Sequence, residues 1–226
     1  MGLARVPYCD ARLLYIKFSD IADELIGNAS ALNDEVSNLA KLLSQTAFLD
    51  DSRNFSHAHY GYLMACMGQI DPMSRCEWGP VEPPRNQTPR MQACMENYLD
   101  VHKVDEHRVA IQLMRHTLMH TGALRYLYEP RTGTAYTWRI HFGDTFPSAQ
   151  FGLYTLTTED PACQDDLLKS VSGNVTSVKA LNLQITQFAA DNLQVAKDYT
   201  TKMSMDPALQ TNCEGTYPAI RVQTLK

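Results

Sequence analysis

The chain has 226 residues, 44% apolar and 20% charged, which supports a full folded core and excludes low-complexity disorder and collagen-like repeats. Twenty Lys and Arg against 25 Asp and Glu give a formal charge of -5, so any polyanion site must be a local patch rather than the whole surface. No run approaches the roughly 20 apolar residues of a membrane-spanning helix, and Met1 to Leu13 lacks a signal-peptide pattern, so a soluble, cytoplasmic protein with no membrane partner is expected.

Apolar residues recur from Leu14 through Phe18, Ile21, Leu25, Leu32, Val36, Leu39 and Leu43 in steps of three, four and seven. This spacing predicts a long amphipathic N-terminal helix within 11–46, with Gly27-Asn28 as its candidate break. A helical core over 54–122 follows. Its first helix spans Phe55 to Ile70, with Pro72 as the expected stop. Gly79, Pro80, Pro83 and Pro84 mark a connector, and Thr88-Pro89 opens a helix carrying Met91, Met95, Tyr98 and Leu99. Asp105 is the expected cap of a fourth helix that runs to Gly122.

Over 123–157 the period changes. Ala123–Tyr128 and Ala135–Phe142 flank the turn Glu129-Pro130-Arg131-Thr132-Gly133, which predicts a β-hairpin, with Ala149 to Thr157 as a third strand of a meander. From Asp160-Pro161 the residues Leu168, Val171, Val175, Val178, Leu181, Ile185, Phe188, Ala196, Tyr199 and Met203 predict a long amphipathic C-terminal helix over 161–204. The expected architecture is mainly α: one domain over 1–226, a helical bundle with long terminal helices and a small antiparallel β hairpin or three-stranded meander. The two long helices would pack on each other or across a dimer axis. Six cysteines without a C-x-x-C pair are expected to be buried free thiols.

The fourth helix carries the candidate chemistry. At about 100° per residue, Ile111, Met114 and Leu118 share one side while Val109, Leu113, His116 and His120 share nearly the opposite one, so both sides should be covered. Buried imidazole and guanidinium groups then need partners. His116 and His120 project from one face one turn apart, and Arg115 reaches them only by curling around the helix or across a subunit seam.

Arg115-His116-Thr117-Leu118-Met119-His120 matches the Arg-x4-His motif, and the chain resembles the higher eukaryote and prokaryote nucleotide-binding (HEPN) superfamily over roughly Phe55 to Gly122. The resemblance implies a homodimer whose motifs face each other across a cleft, with RNA or a nucleotide as ligand and an antitoxin or nucleotidyltransferase as partner. In catalytic members the cleft is an endoribonuclease site of toxin or defence type that uses no metal or cofactor. On this sequence His120 would move the proton of the ribose 2′-hydroxyl or the leaving oxygen, because imidazole titrates near neutral pH. Arg115 would hold the scissile phosphate. His116 would occupy the polar orienting position, where the family often has Asn. Arg125 and Arg139 are secondary candidates for the nucleic-acid backbone.

Other readings of the same residues stand beside this one. His116 and His120 could be hydrogen-bonded core or interface histidines, with Arg115 neutralised by Glu96 or Asp105. The cleft could belong to a noncatalytic dimeric module that binds a nucleotide, nucleic acid or protein. His-x3-His with His57 and His59 has metal-ligand spacing, but no H-E-x-x-H occurs and Thr117 follows His116, so no metal site is expected. The aromatic and cationic hairpin residues suit base stacking. They equally form a strand with Tyr136, Trp138, Ile140 and Phe142 on a packed face and Thr137, Arg139 and His141 on the other.

Overall fold

A computed structural model describes residues 17–44, 58–79, 87–114, 126–141, 153–159 and 175–221. The first helix, α1 (Phe18–Ser44), buries Ile21, Leu25, Ala29, Leu32 and Val36, the stripe its spacing predicts. It runs unbroken through Gly27-Asn28, both of which face solvent. The Phe18 amide, one of the first-turn donors without an intrahelical acceptor, donates to the Glu214 carboxylate 3.2 Å away.

Helix α2 (Ala58–Trp78) continues past Pro72. A proline in a helix interior costs about 3 kcal/mol, and here tertiary burial offsets it: Met73, Ser74 and Cys76 beyond the proline are all sealed in the core. Ser74 Oγ donates to the Asp71 carbonyl at 2.7 Å. The helix ends at Gly79, whose φ of 80° is the left-handed value that favours glycine. Helix α3 (Gln87–Tyr98) buries Arg90, Met91, Cys94 and Met95. The Arg90 guanidinium, 1% exposed, is held by Asp71, which also lies 3.1 Å from Arg75.

Helix α4 (Val104–Leu113) starts one residue before Asp105, so Asp105 stands in the first turn instead of at the cap, where Lys103 sits without a side-chain capping bond. His107, Val109, Ala110, Ile111, Leu113 and Met114 are buried, so the helix is enclosed on both sides as far as it is described.

The sheet corrects the expected hairpin or meander. Strands β1 (Leu127–Glu129), β2 (Thr134–His141), β3 (Leu153–Glu159) and β4 (Ser177–Gln184) form a mixed sheet in the order β1-β2-β4-β3. The β1–β2 hairpin is present, closed by Gly133 N–H donating to the Glu129 carbonyl at 3.0 Å with Gly133 at φ 67°. Parallel pairing of β2 with β4 then inserts a strand between β2 and β3.

That strand overturns the C-terminal helix expected over 161–204, because 177–184 is extended. Paired on both edges and largely buried on both faces, β4 intersperses Ser177, Lys179, Asn182 and Gln184 among its apolar residues, and Val178, Leu181 and Ile185 mimic helical spacing. Helix α5 (Ile185–Met205) begins at the next residue, where the Gln184 side chain accepts from Gln187 N–H at 2.6 Å. A further helix, α6 (Pro207–Arg221), follows a cap that sequence analysis passed over: Asp206 Oδ1 accepts from Ala208 and Leu209 N–H at 2.9 and 3.1 Å. Helix α1 packs on α5 within the chain, and α6 lies against α2. The main core joins the six described helices to one sheet face through Tyr136, Trp138, Ile140, Leu181 and Leu183.

Gly27→Ala is expected to raise stability by about 0.5–1 kcal/mol, because the site is exposed, helical and open around a new methyl group. A lower urea midpoint would contradict a continuous α1. Asp71→Ala is expected to cost about 3 kcal/mol in the same measurement by leaving the Arg90 charge buried without its carboxylate, and Arg90→Met is expected to cost less.

Candidate functional site

The motif begins where the described part of α4 ends. Met114 keeps helical dihedrals (φ -57°, ψ -51°), whereas Arg115, His116, His120 and Arg125 lie outside the described residues, as does His57. The carboxylates considered as partners for Arg115 have contacts of their own. Glu96 accepts from Gln92 Nε2 at 2.8 Å, and Asp105 lies 3.7 Å from Arg108. Arg108 also reaches Glu129 at 3.7 Å, tying α4 to the hairpin.

Arg139, the other predicted backbone contact, stands exposed on β2. The period-two alternation predicted for this strand holds. Tyr136, Trp138 and Ile140 enter the core, while Thr137, Arg139 and His141 occupy the opposite face. Because the buried residues of α4 pack with Tyr136, Trp138 and Ile140, Arg139 lies across the sheet from the face that α4 covers.

On that outer face the parallel register sets Arg139 beside Asn182 and His141 beside Gln184. His141 Nε2 is 3.1 Å from Asn182 Oδ1, and Asn182 Nδ2 donates to Thr157 Oγ1 at 3.0 Å. With the amide oriented this way, His141 carries its proton on Nε2 and donates to Asn182. The three side chains form a hydrogen-bonded line across β2, β4 and β3. Asn182 is buried, so its bonds also meet the requirement that an enclosed amide be satisfied. Burial pushes the His141 pKa below its ordinary 6.5 and the Arg139 charge adds to the depression, while the bond to Asn182 opposes it. The face therefore presents a guanidinium beside a neutral, oriented imidazole, an arrangement suited to a phosphate or another anionic ligand.

The sequence alone puts Arg139 and His141 on one strand face, whereas Asn182 and Thr157 join them only through the pairing of 177–184, whose apolar spacing predicts helix. The available signal was the extended pattern of Val175, Thr176 and Val178 with alternating Lys179 and Ala180. His107 was not singled out either. It is buried in α4, where Nε2 donates to the Asp100 carbonyl at 2.7 Å and Nδ1 has no hydrogen-bond partner among the described residues. Burial lowers its pKa as well.

Among the described residues no group of three or more His, Cys, Asp or Glu side chains is placed to hold a metal ion, and no helix is long and apolar enough to cross a membrane. Comparison of the chain with protein-family profiles, with curated proteins and with solved structures gives no match.

His107 and His141 both titrate below 6.5 in the folded chain, so between that value and each folded pKa the unfolded chain binds more protons. Their contribution to stability is complete above pH about 6.5 and is lost as pH falls toward the folded pKa values. The urea midpoint is expected to drop between about pH 7 and pH 5, and the drop to shrink in a His107→Gln, His141→Gln double variant. An equal drop in both proteins would contradict neutral burial.

Proposed function

We propose that this protein is a HEPN-like nucleic-acid-binding protein whose Arg115-to-His120 motif is an endoribonuclease element acting without metal at a homodimer cleft. The observation that carries this reading is the motif itself, set directly after a helix that is rooted in the core on both sides. A catalytic pair needs such a base, because acid–base and phosphate-holding groups act only when held within a fraction of an ångström of their working positions. In this reading His120 moves the proton, Arg115 holds the phosphate and its developing charge, and His116 orients the site. An antitoxin or nucleotidyltransferase is the corresponding partner.

A second reading is supported by the outer sheet face. Arg139 is exposed beside the His141–Asn182–Thr157 line and Tyr128 shares that side of the hairpin, so a noncatalytic module would bind a nucleotide or single-stranded RNA there by phosphate contact and stacking.

The two readings separate in one set of measurements. The endoribonuclease is expected to cut RNA in the presence of EDTA, to leave cyclic phosphate ends, and to lose at least about 100-fold in rate on His120→Ala or Arg115→Ala with unchanged circular dichroism. Cleavage that survives both substitutions sinks it. A noncatalytic module gives saturable binding without turnover, weakened by Arg139→Ala. A nucleotide or short RNA at about 100 times its dissociation constant would then stabilise the fold by roughly 2.7 kcal/mol.

A further inference from the structure

Among the described residues the exposed large apolar side chains are Trp78, Val101, Val104 and Met205, between 44% and 76% exposed. They come from distant parts of the sequence, yet they belong to one end of the helical bundle. Glu77, which precedes Trp78 at the end of α2, accepts from Tyr98 Oη at the end of α3 at 2.8 Å and pairs with Lys202, near the end of α5, at 3.1 Å. Lys202 Nζ also lies 5.3 Å from the centre of the Tyr98 ring. Three helices therefore end together, and Val101 follows Tyr98 by the same short step by which Met205 follows Lys202.

The next two helices start at the same place. Val104 opens α4 straight after the turn that follows α3, and His107 holds that turn by donating to the Asp100 carbonyl at 2.7 Å. Met205 is continued by the exposed Pro207 and Ala208 at the start of α6, and the backbone of Gly79, beside Trp78, packs against the Asn212 side chain of α6. Single apolar side chains on a surface need no explanation, whereas several gathered at one end mark a contact surface.

The rim of this surface is negative. Helices α2, α3 and α5 turn their C-terminal ends to it, and a helix C-terminus carries partial negative charge. The two helices that start there bring carboxylates with them: Asp105 and Glu106 in the first turn of α4, and Asp206 as the cap of α6. Glu77 and Asp100 add two more. Against these stand Lys103, the His102 ring and Lys202, and Lys202 is already paired with Glu77. Arg108, one turn into α4, is shared between Asp105 and Glu129.

We propose that this end of the bundle is a docking surface for a basic amphipathic helix of another protein. The apolar face of that helix covers Trp78, Val101, Val104 and Met205, and its Lys and Arg side chains meet the acidic rim. Charge selects this occupant over a second copy of the chain, because two identical negative rims repel when brought together. The surface lies at the start of α4, whereas the Arg115-to-His120 motif follows the other end, so the proposal stands whether or not the motif cleaves RNA.

The test uses the full chain and a synthetic Leu/Lys amphipathic helix, with a Leu/Glu helix of equal length as its counterpart. Of the two tryptophans, Trp138 is buried and Trp78 is exposed, so acrylamide quenching reads chiefly Trp78. The Leu/Lys helix is expected to bind at low salt and to shield Trp78 from acrylamide, with the Leu/Glu helix at least about 10-fold weaker. Combining Val101→Ser with Met205→Ser, both at the surface, is expected to lower affinity for the Leu/Lys helix about 10-fold with unchanged circular dichroism. The proposal is overturned if the Leu/Lys helix fails to bind, if both helices bind equally, if binding leaves Trp78 unprotected, or if the double variant keeps full affinity. Sedimentation of the chain as a dimer that the double variant converts to a monomer also overturns it, because a second copy would then occupy the surface.

Discussion

Strand β4 is the constraint on which the rest of the structure depends. It is paired along both edges, parallel to β2 and antiparallel to β3. Its first residue bonds side chain to side chain with Thr134, 43 positions earlier. One face sends Leu181 and Leu183 into the helical core, and the other buries Val178, Ala180 and Asn182. Because α5 starts at the next residue and is capped by Gln184, the placement of β4 also sets α5, and α1 packs along α5.

The helices are then fastened by a few polar links rather than by apolar packing alone. Asp71 joins α2 to Arg90 of α3, and Glu214 of α6 closes the open N-terminus of α1. Glu77 accepts from Tyr98 Oη at 2.8 Å and pairs with Lys202 at 3.1 Å, while Tyr98 stacks edge-on against Tyr199. Apolar burial is non-directional, so it sets how much surface is hidden but leaves helix rotation loosely specified. Directional bonds between identified partners in the core select one arrangement.

The sheet has two unlike faces, and the candidate functions divide between them. Helix α4, which leads into the Arg115-to-His120 motif, packs on the core face, whereas Arg139 and His141 belong to the outer face. Arg139 is therefore tied to Asn182 and Thr157 through the strand register, a neighbourhood that depends on pairing between β2, β4 and β3. The Tyr199–Cys213 contact has the same character, since α5 and α6 each supply one group.

Local patterns in the amino-acid order were enough for α1 with its buried stripe, the hairpin turn at Glu129 to Gly133, the alternation of β2 and the enclosure of α4. Each is a short-range periodicity or a turn preference, written within a few consecutive residues. The Arg-x4-His motif was legible for the same reason. Only the tertiary structure decided that Pro72 lies within a helix, that 177–184 is a strand, and that Asn182 and Thr157 stand with His141. In these cases contacts between distant segments outweigh local preference: burial beyond the proline offsets its cost, and pairing along both edges holds 177–184 extended although Val178, Leu181 and Ile185 have helical spacing.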